Sequence, residues 1–305
     1  MTTSTTAQVV GRALRIPDRY REFDIPWDTV LTVYRVPRPL LDELLDLGLP
    51  HRGRGEERRF DLFDLENLTT ALEINAPNWV LMRALGHTYD RDIGRTDDAY
   101  RLQVTARCPE PGHAGDCDVA AAPLLLPAPE EADDLRYEPP STIVRRVALP
   151  ADEYYFEDSV LPLFEPAEQL TFYLIPTDLS TDLGFAAETG LADCRLANRL
   201  LLDRARRAVV ESRIASGLIM AAPLPLRHMW IEVRVGDRWI AADPFFIQTL
   251  TRWRIISPHK WPVRRSPRRI YWPIAGSPLP EDMSLATHRG SKVRGSARIT
   301  NWRQR

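Results

Sequence analysis

The stretch LRHMWIEVRV (Leu226–Val235), then Gly236-Asp237, then RWIAAD (Arg238–Asp243) decides how this chain is read. Met229, Ile231, Val233 and Val235 alternate with His228, Trp230, Glu232 and Arg234, the period of a strand with one apolar face. Gly236-Asp237 puts glycine at the first central position of a two-residue turn, as a type II′ hairpin requires. If Val235 pairs with Arg238, Trp230 faces Asp243, and Ile240 and Ala242 join the apolar face. His228 and Asp243 then become diagonal neighbours on the polar face. Such neighbours lie about 7–8 Å apart at Cα, within reach of an imidazole and a carboxylate. A carboxylate there selects the imidazole tautomer and stabilises the imidazolium.

Working outward, Glu211 to Met220 reads as a preceding strand rich in Ile and small residues. Before it, Asp193 is a good N-cap, and Cys194 falls in the first turn of a helix. Leu196, Ala197, Leu200, Leu201, Ala205, Ala208 and Val209 form that helix's apolar stripe. The positive end of the helix dipole and the unpaired N–H groups of the first turn favour a thiolate. The same N–H groups can hold an oxyanion. A cysteine at a helix start is more often only a small buried residue, and hairpin geometry by itself does not bring Cys194 to His228.

The combination is more specific than its parts. Gly190-x3-Cys194, Arg206-Arg207-Ala208, the Ser216-Gly217 strand, His228-Met229-Trp230-Ile231-Glu232-Val233 and Ala242-Asp243-Pro244 resemble the bacterial transglutaminase-like family. The likeness covers the region from Gly190 to Phe246 closely, with a looser lead-in from Tyr173. It implies an α+β fold with a papain-like core, in which the nucleophile helix packs on an antiparallel sheet. It also implies a triad of Cys194 as nucleophile, His228 as base and Asp243 as its orienting group. Trp230 and Glu232 share the face of His228 and are candidates for lining a substrate pocket, with packing against the triad the other reading for Trp230. The lead-in Ile175-Pro176-Thr177-Asp178-Leu179 supplies no identifiable second oxyanion donor.

The rest of the chain is less informative. Residues 1–24 are polar and expected to be flexible. Residues 25–75 read as a small independent module: Leu40, Leu41, Leu44, Leu45 and Leu47 have a helical period that Gly48 can stop, and a Gly/Arg-rich turn from His51 to Arg59 follows. This order resembles the helix-turn-helix and wing of MerR-type and excisionase-like DNA-binding domains, which implies a winged-helix-like domain ahead of the catalytic core. Asp42, Glu43 and Asp46 would face phosphates badly on its recognition helix, whereas Arg52, Arg54, Arg58 and Arg59 on the wing suit them better. A helical module reused for substrate or partner contact is the plainer reading.

Residues 76–150 form a connecting region. Tyr100, Leu102, Val104 and Ala106 alternate like a strand, and residues 120–142 read as an Ala/Pro-rich acidic linker. Cys108, His113 and Cys117 fall within ten residues but lack a fourth local ligand and the usual paired C-x2–4-C spacing of zinc sites. They are kept as zinc candidates, against a turn carrying two thiols; no metal or other cofactor is expected to be required. Residues 151–275 are assigned to the catalytic domain and 276–305 to a basic tail.

Composition bounds the function. The 305 residues are 44% hydrophobic and 27% charged, an ordinary globular balance. Three cysteines make a disulfide framework a poor fit. No apolar run is long enough to span a bilayer, and Met1–Val10 lacks the pattern of a signal peptide, so a cytoplasmic location is expected. From Leu250 to Arg305 there are 13 Lys/Arg and 2 Asp/Glu, on a chain whose net charge is −2. A basic end on an acidic body suits an acidic carrier protein or a phosphate-bearing acyl donor, or else folds across the body.

The expected chemistry is acyl transfer through a Cys194 thioester. An amine acceptor gives an amide, as in small-molecule or peptide biosynthesis, and water makes the enzyme a hydrolase (protease, amidase or thioesterase). A DNA-binding regulator with a non-catalytic sensor domain is the alternative from a different class.

Overall fold

The computed structural model describes residues 5–93, 99–110, 117–126, 134–138, 141–277 and 284–301. Helices and antiparallel sheets are mixed, which is the expected α+β class. The chain divides into two units, each drawn from three separate stretches. One comprises Met1–His87, Pro162–Arg204 and Pro244–Pro262; the other comprises Thr88–Leu161, Ala205–Asp243 and Val263–Arg305. The boundaries expected from the sequence do not follow these units, and residues 151–275 contribute to both.

The first unit is mainly helical. Thr6–Ala13 is a helix with a full capping box: the Gln8 N–H donates to Thr5 Oγ1 and the Thr5 N–H to Gln8 Oε1. It buries Val9, Val10 and Ala13. This corrects the expectation of a flexible stretch there, because a threonine-rich start conceals three apolar positions at helical spacing. The helices Trp27–Thr32, Arg38–Asp46 and Leu62–Ala71 and a two-stranded ribbon of Phe23–Pro26 with Arg59–Asp61 follow. Beyond Arg38–Asp46, Gly48 takes a φ of +92°, which glycine adopts without strain. Val10, Trp27, Val30, Leu41, Leu44, Leu65 and Leu68 share one core.

Residues 25–75 are not self-contained. The Leu62–Ala71 helix is tied to a distant stretch by a paired amide contact: Asn67 Nδ2 donates to the Leu174 carbonyl at 2.8 Å, and the Leu174 N–H donates to Asn67 Oδ1 at 2.7 Å. Beside it the Tyr173 hydroxyl donates to Asp64, which also accepts from Arg21 Nε at 2.6 Å. Two of the wing arginines have partners within the unit. Arg52 lies over Phe23 at 4.7 Å, and Arg59 donates to the Asp24 carbonyl at 3.0 Å.

The second unit carries the sheets. One is antiparallel in the order Arg238–Ala242, Leu226–Val235, Ser212–Ile219, Tyr271–Ala275. A second runs Gly295–Asn301, Ala99–Ala106, Thr142–Ala148, Leu135–Glu138. A third joins Ser291–Val293, Ala286–His288 and Val119–Ala121. Tyr100, Leu102, Val104, Ile143, Val147, Leu218, Met220 and Ile299 share its core.

Two expectations are corrected here, and a third point, left open by the sequence, is narrowed. Residues 286–301 are strands, not a basic tail, because buried Ala286, Val293 and Ile299 recur among the charges. Residues 120–142 include parts of three strands, Val119–Ala121, Leu135–Glu138 and, at Thr142, Thr142–Ala148; residues 127–133 and 139–140 lie outside the described residues. The basic C-terminal stretch is not wholly surface. Arg265 is only 3% exposed and pairs with Asp92 at 3.3 Å and Glu153 at 2.9 Å, while Arg269 is buried on the same two carboxylates. Local charge counting cannot see partners more than a hundred residues away. Among the described residues, no helix is long and apolar enough to cross a membrane.

Candidate functional site

The hairpin forms in the register expected, with Val235 opposite Arg238 and Ile231 opposite Ala242. That register carries His228 to Asp243, and His228 Nε2 donates to Asp243 Oδ2 at 2.6 Å. A carboxylate only accepts, so Nε2 carries the proton and the basic lone pair of the neutral ring lies on Nδ1. Both side chains are buried, at 3% and 0% exposure. In that low-polarity setting a charge-assisted bond holds the ring in one orientation.

A residue not anticipated from the sequence completes this arrangement. The Tyr271 hydroxyl also donates to Asp243 Oδ2, at 2.7 Å, and lies 2.8 Å from the Tyr89 hydroxyl. Burial, and next the Asp243 carboxylate, hold the Tyr271 phenol well above its ordinary titration range, so it remains a protonated donor. Tyr271 lies in the basic C-terminal stretch, and its strand pairing with Ser212–Ile219 brings it to Asp243. Replacing Tyr271 with phenylalanine should lower stability by about 2 kcal/mol, because a buried bond to a charged acceptor is lost. Denaturant titration measures this, and an unchanged midpoint would remove Tyr271 from the network.

Both pocket candidates are buried. Trp230 is fully buried, its ring stacked 6.2 Å from His228 at 19° and tilted 4.9 Å from Tyr271. It packs against the rings of His228 and Tyr271, which favours the packing reading. Glu232 is buried and accepts from Arg213 Nε at 2.7 Å across the strand pair, which accounts for its charge without a substrate.

Cys194 belongs to the other unit and opens the helix Cys194–Arg207. Asp193 caps that helix as expected. Its Oδ1 accepts from the N–H groups of Arg195 at 2.9 Å and Leu196 at 3.0 Å. This narrows the oxyanion expectation, because those two N–H groups are already taken by the cap. Asp193 Oδ2 accepts from Arg195 Nε, and Arg195 donates onward to the Ile175 carbonyl at 2.7 Å and to Thr177 Oγ1 at 3.1 Å. The unassigned lead-in is thus tied to the first turn of the helix. Asn198 Nδ2 donates to the Cys194 carbonyl at 2.8 Å.

Of the zinc candidates, Cys108 and Cys117 are described and His113 lies outside the described residues. Neither cysteine is in a disulfide. The structure brings His288 to them: Cys108 Sγ lies 3.8 Å from His288 Nε2, and the donor atoms of Cys108, Cys117 and His288 all lie within 4.8 Å of one another.

No family model matches the chain, and no curated protein does. Among solved structures it is similar to "a Putative Cysteine Protease" from Cytophaga hutchinsonii. The identity is 10% and the TM-score 0.32, over 68% of this chain and 89% of that one. A score that low does not establish a shared fold.

Proposed function

We propose that the protein is a transglutaminase-like cysteine enzyme that transfers acyl groups through a thioester on Cys194. The reading is carried by the buried His228–Asp243 pair at 2.6 Å, which sets a tautomer with a basic Nδ1. The capped first turn beginning at Cys194 supports it.

In this reaction His228 Nδ1 takes the thiol proton as Cys194 Sγ attacks the acyl carbonyl carbon. The Cys194 N–H stabilises the resulting oxyanion. His228 returns the proton to the leaving group, and the carbon–heteroatom bond breaks to give the thioester. An amine then attacks, His228 accepts its proton, and the sulfur departs to take that proton back, leaving a new amide. Asp243 never needs to gain a proton, because it acts by holding Nε2–H and stabilising the imidazolium. Water in place of the amine gives hydrolysis by the same steps. Product analysis with and without an added amine distinguishes the two acceptors.

The direct test is intact mass spectrometry after incubation with simple acyl thioesters or amides. The expected result is an acyl adduct on the wild type, mapped to the peptide of Cys194, and none there in Cys194→Ala. An adduct confined to Cys108 or Cys117 would sink the assignment.

A further inference from the structure

We infer that Cys108, Cys117 and His288 form a zinc-binding site. Cys108 and Cys117 come from one stretch of the second unit and His288 from another, and strand pairing brings them together. Val119–Ala121 starts two residues after Cys117, and its Val119 pairs with His288 on the Ala286–His288 strand. The next residues are locked as well, because the Arg289 N–H donates to the Asp118 carbonyl at 3.1 Å. Cys108 follows the Ala99–Ala106 strand, and the residue before it, Arg107, donates its N–H to the Arg294 carbonyl at 3.1 Å. Backbone hydrogen bonds therefore flank each of the three donor residues.

The spacing leaves room for a tetrahedral zinc ion with small adjustments of the side chains. With Zn–S near 2.3 Å and Zn–N near 2.0–2.1 Å, a regular tetrahedron has S···S edges of about 3.8 Å and S···N edges of about 3.6 Å. Cys108 Sγ to His288 Nε2 is 3.8 Å, and every donor pair of the set lies within 4.8 Å. A disulfide between the two cysteines would not need a buried imidazole aimed at the sulfur, and His288 is only 4% exposed. Two thiols and one imidazole form a set that suits zinc over the hard cations, which take oxygen ligands. Binding replaces the two thiol protons, which leave to solvent. The dication and two thiolates then sum to zero charge, and one coordination position is left for a further donor. The site is independent of the Cys194 chemistry.

The test uses the full chain purified in the presence of a thiol reductant. Elemental analysis should find one zinc per chain in the wild type and in Cys194→Ala. Cys108→Ser, Cys117→Ser and His288→Ala should each lose most of it. Cobalt added to the zinc-free protein should give thiolate-to-metal charge-transfer absorption that Cys108→Ser lacks. Should those variants fail to fold, the wild type alone decides: zinc should protect two of its three thiols from maleimide, and a chelator should release both. Failure of the reduced, zinc-loaded wild type to retain zinc, or equal maleimide reactivity of all three thiols with and without zinc, overturns the site.

Discussion

His228→Ala is expected to slow acyl transfer to Cys194 by roughly 10³-fold, the middle of the range for removing a positioned general base. The same change should slow alkylation of Cys194 by iodoacetamide at neutral pH by about 10-fold or more, since an isolated thiol is only a few per cent ionised there. The second measurement needs no knowledge of the substrate, and it asks whether residue 228 acts on the sulfur at all. Circular dichroism must show that the variant is folded, because it leaves the Asp243 carboxylate, fully buried in the native protein, without the imidazole. Equal alkylation rates in folded wild type and variant would end the enzymatic reading. Asp243→Asn should be milder. His228 and Tyr271 both donate to the same oxygen, Asp243 Oδ2, so an amide oxygen placed there keeps the tautomer and loses the charge. A charge-assisted bond is about twice as strong as a neutral one, which sets the expected loss at roughly 10-fold.

Gly217→Ala should be the most damaging single-methyl change in the sheet. Gly217 sits between the other two parts of the network, paired with His228 on one side and with Pro273 on the other. A Cβ there would lie 1.9 Å from the Trp272 carbonyl oxygen and 3.0 Å from the Trp230 ring. The carbonyl belongs to a neighbouring strand and cannot swing aside as a flexible side chain would. The Tyr271–Ala275 strand must move, and Tyr271 moves with it away from Asp243. Overpacking of this kind costs about 3 kcal/mol, at the upper end of the usual range. Gly276→Ala is the control. The nearest atom to its added Cβ is 3.9 Å away, and stability should stay within about 0.5 kcal/mol of wild type. Denaturant midpoints for the two variants decide the matter, and equal midpoints would mean that the close approach at Gly217 is relaxed at no cost.

The hairpin was fully legible because every term that sets it is local. A glycine-led two-residue turn and a period of two determine the register, and the register determines that residues 228 and 243 meet. The helix start was legible for the same reason, since Asp193 caps N–H groups two and three residues away. The N-terminal helix was missed although it too is local, because its three buried positions lie among threonines and other polar residues. The misreading of residues 276–305 had another cause. The charges are the conspicuous feature of that stretch, while three buried apolar residues set the strands of its described part, residues 286–301.

What the amino-acid order determined by itself is therefore the His228–Asp243 pair and a capped helix opening at Cys194. Tertiary structure alone decided that Tyr271 joins Asp243, that Arg265 and Arg269 are buried on Asp92 and Glu153, and that His288 meets Cys108 across 180 residues. Those contacts depend on which strands become neighbours in a sheet. That order is set by burial summed over a whole unit, a quantity no local window of sequence contains.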